Sequence, residues 1–170
     1  KIATNYVQGV QSKNVAACLK HFVGNDTEYE RHSISSNIDE QTLREIYLLP
    51  FEMGIKDGNA KVVMSAYNKL NNIFCSSHQE LLISILKQEW NFDGYVVSDW
   101  GAALETEENA RGGLDLEMPG PGNVWGEQLY AAVSEGKIEE ELIGGASIDA
   151  HKIPITDEVF YKSLECDAVI

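Results

Sequence analysis

Several side chains suited to chemistry stand at the ends of apolar runs in this sequence. Val15-Ala16-Ala17-Cys18-Leu19 leads into Lys20 and His21, Lys61-Val62-Val63-Met64-Ser65-Ala66 leads into Tyr67, and Tyr95-Val96-Val97-Ser98 leads into Asp99 and Trp100. Each residue alone has an ordinary explanation. An aspartate after a strand commonly caps a turn by accepting backbone N–H bonds. A strand-end lysine is commonly a solvated charge, and a single histidine is commonly hydrogen-bonded within the fold. Three successive strand ends that all finish this way ask for a joint explanation, and a sugar supplies one. Lys20, His21 and Arg31 offer polar partners to hydroxyls, Tyr67 and Trp100 offer flat faces to ring C–H groups, and an ionised Asp99 attacks or stabilises a developing oxocarbenium ion. The same set also permits a Schiff base, with Lys20 attacking a carbonyl as in barrel aldolases. Residue chemistry alone leaves both open.

The elements that must hold these groups follow from hydrophobic periodicity. Residues 39–49 open with Asp39-Glu40, suited to a helix N-terminus, and carry Leu43, Ile46 and Tyr47 on one stripe before Pro50. Ser77-His78-Gln79-Glu80 has the pattern of a capping box, followed by Leu81, Leu82, Ile85, Leu86 and Trp90 at helical spacing. Asn91-Phe92-Asp93-Gly94 then breaks the helix before the next apolar run, and a further amphipathic stretch over 128–133 stops at Gly136. A fourth strand candidate is Gly113-Leu114-Asp115-Leu116-Glu117-Met118-Pro119. Strands alternating with helices predict a parallel sheet. No Gly-x-Gly-x-x-Gly follows the first strand, which disfavours a dinucleotide-binding sheet. Polar groups at strand C-terminal ends instead favour a partial TIM-like (β/α) barrel of about four to five βα units.

Composition narrows the partners. With 170 residues, 44% of them hydrophobic, the chain is long enough for one well-cored domain. Its 27 acidic and 13 basic side chains give a formal charge of −14. A field of that sign opposes docking on nucleic-acid phosphates or anionic membranes and leaves neutral substrates unaffected. No apolar run approaches the ~18 to 20 residues of a membrane span. The first residues show neither an initiator methionine nor a secretory signal, so they are expected to follow earlier material, and the compartment is left unassigned. Cys18, Cys75 and Cys166 are too widely spaced to indicate a metal site or a disulfide framework. No cofactor is expected.

Five ordered blocks carry a family resemblance. They are Lys20-His21-Phe22-Val23-Gly24-Asn25-Asp26, Thr42-Leu43-Arg44-Glu45-Ile46-Tyr47-Leu48-Leu49-Pro50-Phe51-Glu52, Val63-Met64-Ser65-Ala66-Tyr67-Asn68, the run from Trp90 to Gly101, and Gly113-Leu114-Asp115-Leu116-Glu117-Met118-Pro119-Gly120. In order and spacing they resemble glycoside hydrolase family 3, in its β-glucosidase branch. The resemblance implies a retaining, exo-acting enzyme that removes terminal β-glucosyl units from small carbohydrates. Asp99 would be its nucleophile. Lys20 and His21 would hold sugar hydroxyls with help from Arg31, Met64 and Tyr67 would line the pocket, and Trp100 would form a wall. The family's N-acetylglucosaminidase branch carries a His-Asp pair in a Lys-His-Phe-Pro-Gly-His-Gly motif, which Lys-His-Phe-Val-Gly-Asn-Asp does not match. Asn25, formally a glycosylation acceptor with Thr27, would stand beside the pocket, which disfavours a bulky glycan there.

The resemblance also sets the expected limits. Residues 1–143 would be part of the catalytic barrel. Residues 144–170 would be a tail of uncertain kind, loosely similar to the lead into a second, α/β-sandwich domain. The family's general acid/base belongs to that second domain, and a sugar-binding aspartate and arginine precede the region matched here. Glu117 is expected to be structural rather than the acid. An inactive carbohydrate-binding remnant is the alternative for the isolated chain.

Overall fold

The computed structural model describes residues 1–138, so the expected boundary at 143 and the tail 144–170 lie outside the described residues. Its centre is a three-stranded parallel sheet in the order β1–β3–β6, from β1 (Cys18–Phe22), β3 (Val62–Ser65) and β6 (Tyr95–Ser98). The two apolar runs ending at Ser65 and Ser98 pair without a break, Val62 with Tyr95 through Ser65 with Ser98. Leu116, the middle of the fourth strand candidate, makes only an isolated parallel bridge to Val97. A small second sheet joins β2 (Ser35–Ser36), β4 (Lys69–Leu70) and β5 (Ile73–Phe74).

Side chains alternate across the main sheet, as a strand requires. Val63 and Val96 join the large core with Leu43, Leu48, Ile55, Leu81, Leu82, Ile85 and Leu86, all from the flanking helices. Val62, Met64 and Val97 form a separate small cluster with Met118 on the opposite face. A doubly wound sheet would carry helices against both faces. One helix-covered face and one inner cluster are what a section of a β/α barrel shows. Phe22, Val63, Leu81, Leu82, Leu86 and Val96 are fully enclosed, and each such burial stabilises by about 1.5–3 kcal/mol before entropy is counted.

The helices match the periodicity with informative exceptions, among them Ile46, which is 64% exposed while Leu43 and Tyr47 of the same expected stripe pack on the core. Helix α1 (Ile2–Gln11) precedes β1, and α2 covers residues 40–56 as Glu40–Thr42, a π-wound Leu43–Leu48 and Leu49–Lys56. Asp39 caps α2 by accepting the Thr42 N–H at 3.0 Å. The expected stop before Pro50 does not occur. Pro50 sits in the first turn of the Leu49–Lys56 segment, after the π-wound turn, so its missing N–H leaves no regular helical bond broken.

Helix α3 (Glu80–Glu89), π-wound along its length, lacks the expected capping box. Ser77 Oγ donates to the Phe74 carbonyl instead, and His78 Nδ1 accepts the Leu81 N–H at 3.3 Å. Burial holds the His78 imidazole below its ordinary pKa, opposed by Glu80, which suits a neutral acceptor. Two further helices follow β6, α4 (Thr106–Gly112) and α5 (Glu127–Ser134), and the periodicity reading had assigned no helix at α4.

Gly94 decides how β6 begins. A Cβ there would stand 2.0 Å from the Lys61 carbonyl oxygen, to which the Tyr95 N–H donates at 3.1 Å. Only glycine lets the turn lie that close to the start of β3.

Candidate active site

The site starts from an irregularity in β1. In a regular strand Lys20 and His21 would point to opposite faces. Here Leu19 pairs with Val63 and Phe22 with Ser65, so Lys20 and His21 together oppose Met64 alone. Leu19 and Phe22, three residues apart, therefore both pack on the helix side. A bulge of this kind adds one residue and re-aims its neighbours. It turns two consecutive polar residues into a pair at the strand's end, with Lys20 exposed and His21 half-buried. The two residues thus belong to the strand, where the sequence pattern had put them just beyond it.

Asp99 follows β6 directly, and its carboxylate is 13% exposed. Its own N–H donates to the Ser65 carbonyl at 3.2 Å, which ties the corner to β3. Oδ1 accepts the Trp100 N–H at 2.8 Å. Oδ2 is left to side chains, and His21 Nε2 lies 3.4 Å from it. Gly101, at φ +73°, closes the turn, and its N–H donates to the Met118 carbonyl at 2.8 Å. The Trp100 indole stands on the rim, 57% exposed.

Tyr67 reaches the same corner from β3. Its hydroxyl donates to the Trp100 carbonyl at 2.9 Å. Burial raises the phenol's pKa, the Asp99 charge raises it further, and the Arg31 cation works against both. Met64, 5% exposed, lies in the small cluster of the inner face. Arg31 does not stand free. Its guanidinium carbon sits 4.5 Å from the Tyr67 ring centroid, and Nη1 pairs with Glu28 Oε2 at 2.9 Å.

The expected set therefore falls into two groups. His21, Tyr67, Asp99 and the Trp100 backbone meet directly, with Arg31 over the Tyr67 ring. Lys20, Met64 and the Trp100 indole border that corner. Sequence reasoning missed Glu28 and His32. The His32 ring meets Tyr67 edge-on, 4.4 Å between centroids at 67°. Both lie in a segment without periodicity, where the only hint is the dense charged and aromatic run Glu28-Tyr29-Glu30-Arg31-His32.

Nearby carboxylates are already engaged. Glu117 accepts the N–H groups of Asn123, Val124 and Trp125 at 2.7, 2.9 and 2.8 Å, closing the loop after the Leu116 bridge. Asp115 accepts the Val96 N–H at 2.8 Å and pairs with Lys87 at 2.7 Å, while Lys87 also donates to the Gly113 carbonyl. An open cavity of about 470 Å³ lies over this loop, lined by Glu117, Asn123, Trp125 and Gln128 among others, and it does not include Asp99. The expected site residues gather at the strand ends instead. Among the described residues no three His, Cys, Asp or Glu side chains converge as metal ligands.

Comparison with known proteins gives one consistent result. A profile of the glycosyl hydrolase family 3 N-terminal domain matches residues 1–148. A β-glucosidase of Rhizobium radiobacter is 53% identical over 141 residues, 83% of this chain and 17% of that protein. Thermostable β-glucosidase B of Acetivibrio thermocellus is 44% identical, over 86% of this chain and 19% of that protein. Among solved structures, β-glucosidase 3B from Thermotoga neapolitana in complex with glucose superposes with a TM-score of 0.77 at 43% identity, covering 82% of this chain and 20% of that one. The chain thus spans about a fifth of the length of these relatives.

Proposed function

The chain belongs to glycosyl hydrolase family 3, and from that premise we propose that it carries the nucleophile side of a retaining β-glucosidase acting on terminal, non-reducing β-glucosyl units of small carbohydrates. One observation carries the reading. Asp99 has one carboxylate oxygen fixed by backbone and the other turned toward side chains, beside His21 and at the end of a barrel strand.

In this mechanism Asp99 Oδ2 attacks the anomeric carbon while the bond from that carbon to the leaving oxygen breaks. The leaving oxygen takes a proton from a second carboxyl group. Water then displaces the aspartyl ester and gives up a proton to that same group, so configuration at the anomeric carbon is retained. His21 and Lys20 hold hydroxyls of the sugar, Arg31 assists them, Met64 and Tyr67 line the pocket and Trp100 flanks it. The Trp100 N–H on Oδ1 fixes the carboxylate's rotamer, which aims Oδ2 before the substrate arrives. Glu117 has its carboxylate filled by three N–H groups and is not that donor, and in this reading the donor is the acid/base of the second domain that the family resemblance implies.

The test uses a sugar whose leaving group needs no proton. A 2-deoxy-2-fluoro-β-glucoside with an activated leaving group should add one fluoroglucosyl unit to the protein, and peptide mapping should find it on Asp99. Asp99→Asn should lower the labelling rate by at least ~10³-fold, as loss of a nucleophile does. A label on another residue, or undiminished labelling of the variant, would overturn the assignment.

A further inference from the structure

Tyr67 is gripped more tightly than a pocket-lining residue needs to be. Arg31 covers its ring at 4.5 Å. Glu28 holds that guanidinium in place at 2.9 Å, and His32, the next residue along, meets the ring edge-on at 4.4 Å. Two residues of one five-residue stretch thus meet a single phenol, and a third holds one of them in place. The phenol's hydroxyl in turn ends on the Trp100 carbonyl at 2.9 Å. That carbonyl belongs to the residue whose N–H holds Asp99 Oδ1.

We propose that residues 28–32 form a clip that positions the nucleophile through Tyr67, with Glu28 and His32 as positioning residues that do not touch the sugar. This rests on the reading of Asp99 as nucleophile. The physical chain is short. Glu28 limits where Arg31 can lie, Arg31 and His32 limit the tilt of the Tyr67 ring, and the ring's hydroxyl holds the Trp100 carbonyl. That carbonyl and the Trp100 N–H belong to successive peptide groups joined at one Cα, so holding the first narrows the backbone torsions that place the second, and with it Oδ1 and Oδ2. Glu28 is solvent-exposed at 80% of its side chain, so the ion pair itself adds little stability. Its value lies in geometry. Edge-to-face contacts and a cation over a ring prefer defined arrangements, so each narrows the ring's orientation.

Two measurements on the whole chain test this. The first follows fluoroglucosyl trapping and separates the maximal trapping rate from the concentration giving half of it. His32→Ala and Glu28→Gln should slow the maximal rate on the order of tenfold, less than the ~10²-fold that an ångström of misplacement costs, with the half-saturating concentration unchanged within about twofold. His32→Phe, which keeps an aromatic edge, should restore most of the rate. In a Tyr67→Phe background His32→Ala should add almost nothing, because the hydroxyl it acts through is gone.

The second measurement reads the clip without any reaction. With 3-fluorotyrosine at position 67, the ¹⁹F resonance should move in His32→Ala, and Arg31→Met should raise the phenol's titration midpoint by removing the cation. If trapping fails on Asp99 while the resonance responds, the glucosidase reading falls and the nucleophile-positioning role falls with it, while the hold of residues 28–32 on Tyr67 stands. A resonance indifferent to both substitutions overturns the clip. So does a His32→Ala effect that appears in the half-saturating concentration or adds in full to Tyr67→Phe.

Discussion

The corner at Asp99 and the loop at Asp115–Glu117 are built from the same chemistry and put it to opposite use. Both place carboxylates at or beside strand-like segments on neighbouring stretches of the sheet, Asp99 after β6 and Asp115 and Glu117 on either side of the Leu116 bridge. Glu117 is filled by three backbone N–H groups, and Asp115 by one N–H and the Lys87 ammonium. Asp99 has one oxygen on a single N–H and the other among side chains only, beside His21 and within reach of the Tyr67 phenol. A carboxylate surrounded by donors is a poor nucleophile, because its lone pairs are already committed. One held by a single backbone contact is aimed and still available. Sequence position alone does not separate the two settings, and in the proposed mechanism hydrogen-bond occupancy is what makes Asp99 the nucleophile.

Substitutions should therefore separate chemistry from stability. The largest effect is at Asp99, where Asn is expected to abolish trapping and leave the melting temperature close to wild type. Glu117→Ala should do the reverse. Three N–H groups lose their acceptor, and since the one on exposed Asn123 can turn to water, the loss is about 2–4 kcal/mol. The folded fraction should still be labelled at Asp99. Denaturant unfolding beside trapping checks both, and a Glu117→Ala protein of unchanged stability would erase the contrast.

Lys87→Met comes next. It leaves Asp115, whose side chain is 16% exposed, with its Val96 contact but without its cation. Fully buried pairs lose 3–5 kcal/mol when broken. This pair is only partly covered, so roughly 1–2 kcal/mol is expected by the same unfolding measurement. Trapping should slow modestly because Asp115 holds the strand that leads into Asp99.

The smallest effect is on pH dependence. Burial lowers the His78 pKa in the folded state, while the unfolded chain takes up a proton from near ~6.5 downward. Stability from this residue is thus fully present above the unfolded value and falls as pH drops below it, by less than ~1.4 kcal/mol per pH unit. His78→Asn keeps an acceptor for the Leu81 N–H and removes the titration. Its stability should fall less than that of the wild type between pH 7 and 5.5. Equal slopes would show that His78 does not titrate in the way its burial requires.

The same comparison explains what could be read from the sequence. The strands ending at Ser65 and Ser98 were legible because continuous β-branched and aromatic residues leave few alternatives, and the residues just past them then fell onto one rim. The β1 bulge was not legible. It is defined by pairing with Val63 and Ser65, more than forty residues away, and no local pattern encodes a register. The helix start at Glu80 misled for a related reason, since Ser77 and His78 compete for the same cap and the ring wins by its position in the fold. The Glu28–His32 clip lacked any periodic signal, and only the contact with Tyr67 gives it meaning.

The central claim is that the open oxygen of Asp99 meets the anomeric carbon of a sugar held by Lys20 and His21. A crystal structure of the fluoroglucosyl-trapped protein tests it most directly. The expected result is continuous density from Asp99 Oδ2 to the anomeric carbon, with Lys20 and His21 within hydrogen-bond distance of the sugar's hydroxyls. Density joining the sugar to another side chain, or a sugar on Asp99 that neither Lys20 nor His21 can reach, would contradict it.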